Sequence, residues 1–232
     1  MMHTSRPAGA GMESLYPFLY ADAGRSVDAV LEEVRRSTAE KAAEIVALRQ
    51  EVADRYADEL VTCAGDMAAA FAGGGRLFTF GNGGSSTDAQ TVASLFLAPP
   101  RGRPLPAFSL TSDIAVVTAL SNDIGFEVVF ARELAAFARP GDIALGLSTS
   151  GGSANVLRAF DEANRRGLMT VGLAGYHGGK MAETDSIEHL FVIPSSSVHR
   201  IQEAQTTVYH VLWELTQRAL DRTAVAGTPD PS

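Results

Sequence analysis

The stretch that most constrains the fold is Leu77-Phe78-Thr79-Phe80-Gly81-Asn82-Gly83-Gly84-Ser85-Ser86, an apolar run that empties into a glycine-rich turn. A short run of Leu and Phe with one Thr reads as a buried strand. Gly81, Gly83 and Gly84 permit backbone angles closed to other residues and let a ligand come close to the main chain. From Ser85 to Leu97 the pattern turns helical, with Ser85 or Ser86 placed as N-cap. This arrangement aims free N–H groups and the positive end of a helix dipole at an anion, for which a phosphate is the natural candidate. A tight turn without a ligand is the plain alternative.

Familiar phosphate motifs do not match. The dinucleotide fingerprint needs glycine at position 86, where Ser86 stands, and no acidic residue follows at the distance of about 20 positions that a ribose contact requires. A P-loop is excluded because no Gly-Lys-Ser/Thr follows. A second stretch strengthens the phosphate reading: Asp142-Ile143-Ala144-Leu145-Gly146-Leu147 opens into Ser148-Thr149-Ser150-Gly151-Gly152-Ser153, and a helix follows from Ala154 to about Arg166. Two such turns in one parallel sheet stand at the same edge, where open α/β sheets bind ligands. The nucleophile elbow of serine hydrolases is ruled out, because Gly146-Leu147-Ser148-Thr149-Ser150 lacks the closing glycine. Hydroxyls and N–H donors without an internal Lys or Arg suit a phosphate monoester held by neutral hydrogen bonds.

With these segments in view, the chain resembles the sugar isomerase (SIS) domain family, and within it the phosphoheptose isomerases, which convert sedoheptulose 7-phosphate to a heptose 7-phosphate. The resemblance rests on Gly81-Asn82-Gly83-Gly84-Ser85, Ser121-Asn122-Asp123-Ile124-Gly125-Phe126, Ser148 to Val156, Gly175 to Met181, and Arg200-Ile201-Gln202-Glu203. It implies a three-layer α/β fold with a doubly wound, flavodoxin-like five-stranded parallel sheet. It also implies a substrate site at Asn82, Gly83, Gly84, Ser85, Asn122, Asp123, Ser148, Thr149, Ser150, Ser153 and Gln202.

The helix after the first turn carries a departure. Thr87, Thr91 and Leu95 share a face. In the phosphoheptose isomerases the positions of Thr91 and Leu95 are a histidine and a glutamate, both metal ligands, the glutamate also moving a proton. On the last helix, expected over His199 to Leu220, the residues His199, Gln202, Thr206 and His210 share a face. By itself this polar stripe suggests a cleft, but the plainer reading, a structurally bonded His210 and a His199 exposed near the helix start, is favoured over it. The resemblance makes Gln202 and His210 the remaining metal-site positions and His210 the acid/base; His199 replaces a usual aspartate. Zinc wants three or four ligands from His, Cys, Asp and Glu, so the expectation is no tight metal site and no cofactor. Asp88 or Asp123 could supply another carboxylate, although Asp88 in a first helical turn is accounted for by the helix dipole. His177 could approach a sugar from its loop; His3 and His189 carry no signal.

Two functions follow from the resemblance. One is a sedoheptulose 7-phosphate isomerase altered or weakened in activity. The other is a non-catalytic phosphosugar sensor or tetrameric scaffold, similar to the bacterial replication-initiator-associating protein, which also lacks the glutamate. Homotetramers with shared sites are the family's usual state.

At 232 residues the chain suits one α/β core with a helical extension. The expected division is a docking or flexible segment over 1–24, a helical region over 25–72, the core over 73–221 and a tail over 222–232. Leu15-Tyr16-Pro17-Phe18-Leu19-Tyr20 is an apolar patch that needs something to dock on, and the long helix needs either a neighbouring subunit or its own sheet to cover its apolar face. Strands are expected at 76–80, 106–110, 142–147, 168–173 and 189–193. The Pro99 to Pro106 connection carries Arg101 and Arg103, whose usual place is in solvent. A net charge of −8 argues against general attraction to nucleic acid or anionic lipid. One cysteine, Cys63, allows no intrachain disulfide. No apolar run approaches the roughly 20 residues of a membrane span, and the first eleven residues lack a signal peptide's apolar centre, so a cytoplasmic protein is expected.

Overall fold

The computed structural model describes residues 27–226. The Leu15–Tyr20 patch and the expected 1–24 segment lie outside the described residues. The chain divides into two compact units, Met1–Glu44 and Ile45–Ser232. In the first, the described part is helical, with Thr38 Oγ1 donating to the Val34 carbonyl and Arg35 paired with Glu32.

Helix α1 runs Val27–Ala72, close to the expected span. From Leu48 onward its residues Leu48, Val52, Leu60, Cys63, Met67 and Phe71 are buried in the same cluster as the sheet. This part of the helix therefore packs on its own subunit's strands. Val46 and Val61 remain exposed.

The strands are β1 Leu77–Gly81, β2 Ala107–Ser109, β3 Ile143–Ser148, β4 Met169–Gly175 and β5 His189–Ile193. All pair in parallel, in the order β2-β1-β3-β4-β5, so the five-stranded flavodoxin-like arrangement is borne out. Helices α2 Gly84–Leu97, α3 Ile114–Asp123, α4 Val129–Phe137, α5 Ala154–Arg165 and α6 Val198–Ala226 connect and flank them. Helix α6 continues past the expected end near Leu220 and through the start of the expected tail.

Alternation along each strand sorts the core into two layers. Leu77, Ile143, Leu145, Leu147, Val171 and Phe191 face the cluster formed with α1, α2 and α6. Phe78, Phe80, Ala144 and Ala174 face the opposite cluster, with α4 and α5. Gly146 sits where β3 meets two rings: a Cβ there would lie 2.5 Å from Phe80 and 2.6 Å from Phe160. Those rings meet edge to face at 5.2 Å.

Two polar ties fix the sheet. Asp142, buried before β3, accepts from the Arg76 and Arg139 backbone N–H groups at 2.8 Å each and pairs with the Arg76 guanidinium at 2.7 Å. On the other side, His189 of β5 has its two ring nitrogens on Glu59 and Asp66 of α1. Among the described residues no helix is long and apolar enough to cross a membrane.

Candidate functional site

Because β1 and β3 are parallel neighbours with Gly81 opposite Leu147, the turns that follow them emerge side by side at the C-terminal edge of the sheet. A reciprocal amide pair joins them. Asn82 Nδ2 donates to Asn155 Oδ1, and Asn155 Nδ2 donates back to Asn82 Oδ1, each at 2.8 Å. Asn155 is buried at the start of α5 and also accepts from the Val156 N–H at 3.0 Å. Sequence reading missed this residue as a site element. Its signal was a polar side chain at four-residue spacing from Ala159 and Ala163, on the buried and otherwise apolar face of an amphipathic helix.

In the first turn the N-cap differs from expectation. It is Gly83, with φ 56° and no side-chain cap bond, while Ser85 and Ser86 already lie inside the helix. Their N–H groups bond to the Asn82 and Gly83 carbonyls at 3.0 Å. The left-handed angle at Gly83 lets the chain begin the helix two residues early. Among the described residues the N–H groups of Gly83 and Gly84 have no acceptor. Close packing holds the turn: a Cβ on Gly84 would stand 2.2 Å from Gln202 Nε2, and one on Gly81 would stand 2.6 Å from the Ser85 carbonyl oxygen.

In the second turn, Ser148 Oγ lies 3.1 Å from Ser153 Oγ and 3.5 Å from Ser150 Oγ. Ser150 Oγ accepts from the Gly152 N–H at 3.2 Å. Ser153 is the N-cap of α5 but makes no side-chain cap bond. The N–H groups of Ser150 and Ser153 have no acceptor among the described residues. Thr149 is half-buried, its carbonyl close to Gly175 at the end of β4. Hydroxyls, unpaired N–H groups and the starts of α2 and α5 thus converge on one edge, with no cationic side chain in either turn. Donors arranged in this way have the chemistry to hold an anion.

Helix α6 closes one side. Gln202 Nε2 donates to Asp88 Oδ2 at 3.4 Å, and Tyr209 Oη to Asp88 Oδ1 at 3.5 Å. Burial raises the Asp88 pKa above the ordinary carboxylate value, outweighing these two bonds, which lower it. His210 Nδ1 lies 2.8 Å from the Thr206 carbonyl, and its ring stacks on Tyr209 at 5.0 Å. A carbonyl only accepts, so Nδ1 donates, and in the neutral ring the lone pair is on Nε2. His210, His199 and His177 are exposed on this chain. Asn122 and Asp123 end α3, exposed and bonded to each other at 2.8 Å. No hydrogen bond among the described residues joins them to the two turns.

The positions where the resemblance would place a metal do not fit zinc. Leu95 has no lone pair and is half-buried against the apolar layer that also holds Val211 and Leu215. Thr91 Oγ1 donates to the Thr87 carbonyl at 2.9 Å. Only Gln202 and His210 remain, one weak ligand and one good one.

The SIS domain family matches residues 40–175. The chain is 43% identical over 164 residues to a phosphoheptose isomerase from Aquifex aeolicus, spanning 70% of this chain and 85% of that one. It is 40% identical over 200 residues to one from Nitratidesulfovibrio vulgaris, spanning 85% and 95%. Among solved structures, the phosphoheptose isomerase from Neisseria gonorrhoeae superposes with a TM-score of 0.72 at 32% identity, over 80% of this chain and 99% of that one. Family match, sequence relatives and fold agree with the paired turns: the chain belongs to the SIS domain family, in the branch of the phosphoheptose isomerases.

Proposed function

We propose that the chain binds a phosphorylated sugar, with the monoester in the cradle formed after β1 and β3, and acts on it as a sedoheptulose 7-phosphate isomerase of altered or weakened activity. The observation that carries this is the adjacency of the two donor-lined turns, tied by the Asn82–Asn155 pair. Asn82, Gly83, Gly84, Ser85, Ser148, Thr149, Ser150 and Ser153 hold the phosphate end, and Gln202 meets the sugar. Asn122 and Asp123 bond each other and make no hydrogen bond to either turn among the described residues, and their contact with the substrate is made through the neighbouring subunit of a homotetramer. The protein works in the cytoplasm.

Aldose–ketose isomerisation needs a base that takes a proton beside a carbonyl and returns it to the next carbon. His210 has the form required, with Nδ1–H committed to Thr206 and Nε2 open. Without a second base the rate falls by about 10²–10⁴. No resident metal is part of this reading; stoichiometric zinc after purification without added metal would contradict it.

One observation favours a second reading, a phosphosugar sensor without turnover: Leu95 is set into apolar packing where proton transfer needs a carboxylate. Incubation with sedoheptulose 7-phosphate followed by NMR separates the two. Slow product formation, abolished in His210→Ala, supports the isomerase. Thermal stabilisation by the sugar without product supports the sensor.

A further inference from the structure

Away from the two turns, on the β2 side of the sheet, Glu133 of α4 is 6% exposed, and its Oε1 is enclosed without a hydrogen-bond partner. Buried carboxyl oxygens are normally satisfied, and an unpartnered one has lost its hydration with nothing to replace it. Glu133 borders two cavities, of about 280 and 420 Å³. The smaller is walled by Arg76, Phe78, Phe108, Leu110 and Phe137, and it shares no residue with the phosphate cradle.

The walls select the charge and shape of an occupant. Phe78 and Phe108 stack at 5.7 Å with 25° between planes, leaving aromatic surface along the cavity. A cation already sits on this surface at its rim: the Arg76 guanidinium lies 5.2 Å from the Phe78 centroid. Arg76 is committed elsewhere, to Asp142 at 2.7 Å and to the Phe137 carbonyl at 2.7 Å, and makes no bond to Glu133. Burial pushes the Glu133 carboxyl up to about 7, helped by the second negative charge of Asp113 nearby. An anion is repelled there, and a neutral apolar molecule leaves the carboxyl unpaired. A compact cation with an aromatic body satisfies both the carboxylate and the rings.

We propose that this cavity is a binding site for small aromatic ammonium ions, with the ammonium on Glu133 and the ring among Phe78, Phe108 and Phe137. It is independent of the phosphosugar reading. Benzylamine is the probe, titrated into the full chain by calorimetry near pH 8, with benzyl alcohol and benzoate as controls. Saturable benzylamine binding is expected, at least about ten-fold tighter than either control, the loss of one charge-assisted contact being worth that much. Glu133→Gln should weaken it by about ten-fold while the chain stays folded, because the change removes an unpaired buried charge. A second readout needs no variant: affinity should fall as pH drops below about 7, where Glu133 takes a proton and the amine stays charged. No saturation up to about 10 mM, equal binding of benzyl alcohol, or affinity unchanged in Glu133→Gln or at low pH would each overturn the proposal.

Discussion

At Gly84 a methyl group would stand 2.2 Å from the Gln202 amide, and at Gly81 it would stand 2.6 Å and 2.9 Å from two backbone carbonyls. The two sites therefore predict different failures. Gly84→Ala displaces a side chain, so the fold should survive with a loss of about 1 kcal/mol while phosphosugar binding is lost. Gly81→Ala presses on backbone that cannot yield, and about 3 kcal/mol or more should vanish in chemical denaturation. Glu133 gives a pH test. Its pKa rises from 4.5 to about 7 on folding, so its contribution is full below the unfolded value and is lost as pH climbs through about 7. Between pH 4 and 8 the loss should be about 2–3 kcal/mol, and Glu133→Gln should remove that slope while leaving the remaining pH profile in place. A slope equal in both proteins would contradict the burial of that carboxyl.

Among the elements, strands and turns were legible because each announces itself locally. Leu77–Phe80 is apolar, Gly81 to Gly84 has no bulk, and a helix follows. What local patterns could not carry were pairings across long separations. Asn82 finds Asn155 at a sequence separation of 73, and His189 finds Glu59 at one of 130. His189 therefore carried no local signal, although it ties β5 to α1 with help from Tyr56, whose hydroxyl accepts from the Val192 N–H at 3.0 Å. The N-cap was misplaced for a related reason: serine propensity favoured Ser85 or Ser86, but the left-handed Gly83 starts the helix earlier. His189→Leu should cost about 1–2 kcal/mol, with hydrogen exchange speeding first in β5. Uniform loss of protection across all strands would argue that the tie is not local.

For the whole molecule, the parallel order β2-β1-β3-β4-β5 brings the β1 and β3 turns together; that both stand at one edge was foreseeable from strand–helix alternation, their adjacency was not. Less of the site was foreseeable at the reacting end. His210 is exposed on one chain, and the Asn122 side chain donates to that of Asp123, with no bond from either to the two turns among the described residues. The homotetramer proposed above, with its shared site, would account for both, and light scattering should then return four times the 24.5 kDa chain mass. A monomeric mass would leave those residues without the proposed role. The central claim is the phosphate cradle, and calorimetric titration with sedoheptulose 7-phosphate against unphosphorylated sedoheptulose tests it most directly. The account predicts saturable binding of the phosphate ester alone, lost in Gly84→Ala; equal binding of both sugars, or of neither, would contradict it.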